Sequence, residues 1–165
     1  MPMKLISALF IFCSLNSSAQ NTASNVRAIL SEADSVVIVQ HETLLVFGKP
    51  GRPSTTKEIV INGKPNYSII LRSLQLDRRS IDSLALILTK KVDGDIVTMA
   101  CFEPHHAVYI FKNKTLSYLD ICFGCHIFSH SKDIDTGSHQ LTNETWLELE
   151  SFFKARQFET KFSPR

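Results

Sequence analysis

Apolar side chains recur along the chain with two periods, and each stretch keeps to one of them. Val26, Ile29, Leu30 and Ala33 are spaced i, i+3, i+4 and i+7, which predicts a short helix within residues 21–33, capped by Ser24 or Asn25. Ile81, Leu84, Ala85 and Leu88 fall on one face of a second helix, with Asp77 as its cap and Lys90 and Lys91 near its electronegative end. Gly94 lies just beyond and helps to stop it. A third helix begins near Thr142. Leu141 and Trp146 are placed as its hydrophobic staple, and Trp146, Leu149 and Phe153 share a face.

The remaining apolar runs have the shorter period, or the β-branched composition, of strands. Residues 35–40 and 43–47 read as two strands joined by a tight turn at His41 and Glu42, and 48–53, with two glycines and two prolines, reads as a loop. Residues 57–61 run into Asn62 and Gly63, a pair suited to the positive φ angles of a type I′ turn, with 67–71 as the returning strand. Residues 96–100 form a further strand. Residues 107–111 and 116–122 form a hairpin across a four-residue loop, and 129–140 is polar and loop-like. Phe47, Tyr109, Phe111, Tyr118, Phe123, Trp146, Phe152 and Phe153 occupy positions where burial is the default. These elements predict an α+β fold, an antiparallel β-sheet packed against two or three helices, with those near 78–91 and 143–157 covering it.

Composition changes this picture at one end. Residues 1–20 differ from the rest: a short positive head to Lys4, an apolar run from Leu5 to Leu15, then a small polar stretch. That layout is a secretory signal peptide, too short to anchor permanently in a bilayer, with cleavage near Ala19 or Gln20 and a single α+β domain over 21–165. Lipidation at Cys13 is disfavoured because Phe10, Ile11 and Phe12 precede it instead of small residues. Loss of Lys4 takes 18 basic and 16 acidic side chains to 17 and 16, so no charge excess recruits nucleic acid. No other apolar run reaches spanning length, so no integral membrane span is expected after cleavage. The expected location is secreted or periplasmic, where disulfides persist.

Candidate chemistry is concentrated in the second half. With Phe111 facing Leu116, paired positions in the hairpin sum to 227, which sets His106 opposite Ile121 and His105 opposite Cys122. Cys101 and Cys125 fall at the same open end. Three thiols and the imidazoles of His105, His106 and His126 are thereby predicted to converge.

The run Cys101-Phe102-Glu103-Pro104-His105-His106, followed after one hairpin by Ile121-Cys122-Phe123-Gly124-Cys125, resembles the signature of an uncharacterised family of small exported bacterial proteins. The resemblance implies a bacterial, extracytoplasmic origin. It brings no activity and no residue roles with it.

Four chemistries fit the cluster. A structural disulfide between two of the three cysteines comes first, leaving the third as a thiol. A zinc site formed by Cys101, His105, Cys122 and Cys125 comes second, since tetrahedral zinc takes four such ligands and three thiols are an odd number for pairing. A redox pair at Cys122 and Cys125 has the right two-residue spacing but no helix after it to lower a thiol pKa. Covalent haem is disfavoured: Cys122 to His126 satisfies the attachment pattern, yet the motif ends a strand and Met99 is the only methionine after the signal. A cysteine nucleophile at Cys101 with His105 or His106 as base is a further option.

Gly-x-Ser-x-Gly, His-Glu-x-x-His and Gly-rich phosphate loops are absent from the sequence. The leading expectation is therefore a non-enzymatic binding or structural domain with a disulfide or zinc staple. Its rival is a thiol-dependent enzyme or redox protein working through Cys101 or the Cys122/Cys125 pair. Ligand, substrate and partner are not encoded in any recognisable motif.

Overall fold

The computed structural model describes residues 25–46, 55–91, 94–99, 101–136 and 141–161. The expected signal peptide over 1–20, Cys13, the alternative cap Ser24, Phe47 and the expected loop at 48–53 lie outside the described residues. Among the described residues no helix is long and apolar enough to cross a membrane.

The longest β-branched run forms an inner strand of the main sheet. β1 (Ser35–His41) supplies Val36, Ile38 and Val39, all fully buried, and needs a partner on each side. Later elements are β2 (Leu45–Val46), β3 (Thr55–Thr56), β4 (Val60–Ile61), β5 (Lys64–Pro65), β6 (Ile70–Gln75), β7 (His106–Lys112), β8 (Thr115–Cys122) and β9 (Ile127–His130). Four of them join β1 in one antiparallel sheet of order β6-β1-β7-β8-β9. With α1 (Val26–Ser31), α2 (Arg78–Leu88) and α3 (Asn143–Lys154), the fold is α+β.

Alternation divides the sheet into two faces. Val36, Ile38, Val108, Ile110, Leu119 and Ile121 point to the helices, where Leu30, Leu84, Leu149 and Phe153 are fully buried against them. Val39, Ala107 and Tyr109 point the other way and meet Leu44, Ile59 and Ile69 of the 42–70 segment. The Tyr109 hydroxyl donates to the Ile59 carbonyl at 2.8 Å, fastening that segment down.

Helix starts follow their caps. Asp77 accepts from the Ser80 amide at 2.7 Å, Thr142 accepts from the Thr145 amide at 3.3 Å, and Ile81, Leu84, Ala85 and Leu88 are all buried. Asn25 precedes α1 but makes no side-chain cap; its amide bonds the Asp133 carbonyl and the Asp135 amide, tying α1 to the stretch after β9.

Several strands differ from expectation. β1 does not turn back at His41. It pairs with β6 and β7, while β2 pairs with β3, because the two long strands offer far more ladder than two residues do. The Asn62 and Gly63 turn is present, with φ of 52° and 71°, but it returns through Lys64–Pro65. Residues 96–99 are irregular, and β9 is a strand where a loop was expected. The β7–β8 register is the expected one, closed by a two-residue turn instead of a four-residue loop.

Candidate functional site

The open end of the β7–β8 hairpin gathers the cysteines. β8 ends at Cys122, residues 123–126 turn, and Cys122 pairs with Ile127 at the start of β9. That tight reversal brings Cys125 back to Cys122, with Cα atoms 5.3 Å apart and the two sulfurs joined as a disulfide. Both cysteines are buried.

Cys101 reaches the same place along a different stretch of chain. Its Sγ lies 3.1 Å from Cys125 Sγ, and the residue is exposed. The segment carrying it is laid across the turn by two bonds: the Met99 amide donates to the Cys125 carbonyl at 3.0 Å, and His126 Nδ1 donates to the Val97 carbonyl at 3.2 Å. The His126 ring also stacks on Trp146, with centroids 5.1 Å apart and planes 8° from parallel. The three sulfurs therefore meet.

The histidines divide between the two faces. His106 points to the helices and sits among the rings of Phe123, Phe153 and Phe158. Burial there pushes its pKa down to about 3, against a smaller upward pull from its bond with the Glu159 backbone, so the ring is neutral. His105 lies on the opposite face, where its carbonyl accepts from the His41 amide at 2.9 Å. Burial lowers the His105 pKa as well, with Glu103, 3.8 Å away, pulling the other way.

A second polar group occupies that face and was not foreseen. His41 is fully buried, with Nδ1 donating to the Glu42 carbonyl at 2.8 Å and Nε2 3.0 Å from Asp120 Oδ1. One proton lies between Nε2 and Oδ1, whichever atom carries it. Burial raises the Asp120 pKa and the bond to His41 partly offsets this. His41 and His105 stack with centroids 6.5 Å apart. Asp120 and Cys122 are two residues apart on β8, so alternation puts the carboxyl and the Cys122 sulfur on the same face. A carboxylate between Leu119 and Ile121, in a strand otherwise read as buried, was the available signal: such a group requires a buried partner.

Of the four expected zinc ligands, Cys122 and Cys125 are joined to each other, Cys101 touches Cys125, and His105, just before β7, stacks with His41. Among the described residues no group of three or more His, Cys, Asp or Glu side chains is arranged to hold a metal ion. In the disulfide form, neither Cys122 nor Cys125 has a thiol for zinc or for haem attachment. What the arrangement can do is store a disulfide in contact with a free thiol.

No family model matches the chain, and neither a search of curated proteins nor one of solved structures finds a match.

Proposed function

We propose that the chain is an exported domain of binding or structural type whose Cys122–Cys125 disulfide staples the β8–β9 turn to the end of the sheet. The observation that carries this reading is the disulfide pairing of the two buried cysteines. A secretory leader over 1–20 and an oxidising destination agree with it, since disulfides persist outside the cytosol. The resemblance of the 101–106 and 121–125 runs to small exported bacterial proteins points to the same compartment.

The staple closes a loop of only four positions. In the chain-entropy account such a loop is worth about 2 kcal/mol, less than a long-range disulfide provides. Its use is local: it fixes the carbonyl of Cys125 and the ring of His126, on which the 97–99 stretch rests.

Intact mass of the folded protein without reductant, together with elemental analysis, tests this. One disulfide and no stoichiometric zinc are expected. Cys125→Ser, which leaves Cys122 without its partner, is expected to lower the melting temperature by roughly 4–8 °C. Protein that carries zinc with its thiols free sinks the staple reading.

A further inference from the structure

A staple needs two sulfurs, and this site has three. Cys101 Sγ stands 3.1 Å from Cys125 Sγ, inside the range of about 3–3.5 Å at which reacting atoms are poised for attack. Its position is fixed on both sides. Upstream, Met99 and Val97 are bonded to the very turn that holds the disulfide. Downstream, Glu103 accepts from the Thr43 hydroxyl at 3.2 Å and the His105 carbonyl accepts from the His41 amide, which anchors the segment to β1 and its extension. Accessibility separates the three cysteines: Cys101 is exposed, whereas Cys122 is 3% and Cys125 2% exposed. Solvent therefore reaches the Cys101 sulfur and not the other two.

We infer that the site carries out thiol–disulfide exchange, with Cys101 as nucleophile and Cys125 as the sulfur attacked. The Cys101 thiol releases its proton and its sulfur forms a bond to Cys125 Sγ. The Cys122–Cys125 bond breaks, and its electron pair leaves on Cys122 Sγ, which takes up a proton. One disulfide and one thiol enter and one of each leaves, so no outside oxidant or reductant is involved. The exchange rests on the Cys122–Cys125 disulfide of the staple reading and goes beyond it. It converts a disulfide between two buried sulfurs into one with an exposed member, within reach of a thiol on another molecule.

The test is iodoacetamide labelling of the folded full chain, digestion without reductant and peptide mapping. A Cys101–Cys125-linked peptide is expected alongside the Cys122–Cys125-linked one, with label on both Cys101 and Cys122. Cys122→Ser is expected to hold a Cys101–Cys125 disulfide in place of two free thiols. Wild-type protein in which every linked peptide is Cys122–Cys125 and all label at the site is on Cys101 overturns the exchange and leaves the staple standing. Three free thiols in the wild type overturn both. The wild-type map decides the question even where the variant fails to fold.

Discussion

The two faces of the sheet bury the same kind of residue in opposite ways. On the helix face His106 is surrounded by Phe123, Phe153 and Phe158, with ring centroids 5.0, 5.4 and 6.4 Å away, and burial keeps it neutral. On the other face His41, equally buried, meets the Asp120 carboxyl at 3.0 Å. Gln40 pairs with His106, and His41 bonds the backbone of His105, so the two imidazoles are close along the ladder and differ only in the side they take. The helix face is a packing face. The opposite face, at the cysteine end, keeps polar groups buried and pairs them, an arrangement that stabilises little and more often marks a working site.

The sharpest way to break this contrast is to remove one member from each side. Phe153 is fully buried and packs against His106, Phe123, Phe152 and Phe158. Phe153→Ala is expected to cost about 4 kcal/mol in urea unfolding, through lost transfer energy and the cavity left behind. Asp120→Ala on the other face leaves His41 buried opposite a methyl group and is expected to cost about 3 kcal/mol. The two losses differ in what repairs them. Adding His41→Leu to Asp120→Ala recovers most of the loss if the pair acts as a unit, since removing both polar partners removes the desolvation penalty with them. No single second change restores the aromatic cluster. A double variant that is no better than Asp120→Ala would show that His41 is held by something other than Asp120.

This contrast was only half visible in the sequence. The helix face was legible because its signals are local: Asp77 and Thr142 cap where expected, and Ile81, Leu84, Ala85 and Leu88 are buried as their spacing required. The meeting of the three cysteines was legible for a related reason, because one short hairpin fixes the relation of His106 to Ile121 and carries Cys122 with it. The His41–Asp120 pair was not. Its members are 79 positions apart, and His41 reads as a turn residue because a short apolar run follows it. β1 continues through His41 because β6 and β7 flank it, with a register shift between Gln40 and His41 on the β6 side. Residues 127–130 were missed because an edge strand with one covered face needs few apolar residues. Residues 96–99 were over-read as a strand; their backbone serves the cysteine turn instead of a ladder.

Acid gives a smaller and more discriminating probe. His106 has its pKa depressed in the folded state, so below the ordinary value of 6.5 the unfolded chain binds a proton that the folded chain refuses. Stability from this group is therefore intact above about pH 6.5 and is lost as pH falls toward about 3. Asp120 has its pKa raised, so its contribution runs the other way, favouring the folded state as pH falls through the carboxylate range. The helix face should weaken in acid through His106, whereas on the opposite face the lowered pKa of His105 and the raised pKa of Asp120 act in opposite directions. Between neutrality and about pH 5 the wild type is expected to lose about 2 kcal/mol more than His106→Leu, comparing slopes against pH and not absolute stabilities. Equal slopes would show that His106 is as readily protonated folded as unfolded.

The smallest effect concerns the turn that decides which face each residue receives. In a strand the side-chain period is two, so shifting the β7–β8 pairing by one residue would carry Asp120 to the helices and Leu119 away from them. The turn that prevents this is Asn113 and Lys114, with φ of 49° and 66°, the same left-handed pair seen at Asn62 and Gly63 with 52° and 71°. One turn has glycine at its second position and the other has lysine. Lysine in that region carries a Cβ clash that glycine lacks, only partly offset by the extra freedom glycine has when unfolded. Lys114→Gly is therefore expected to stabilise the protein by up to about 1 kcal/mol, and Gly63→Ala to destabilise it by a similar amount, both read from the urea midpoint at unchanged m-value. Nothing lies within 4 Å of the position a Cβ would take at Gly63, so any loss there reports the backbone conformation, net of glycine's unfolded-state freedom, and calibrates the gain at Lys114. If Lys114→Gly destabilises, then the lysine side chain, and not the turn geometry, holds the hairpin in register, and the sorting of His106 and Asp120 to opposite faces would depend on it.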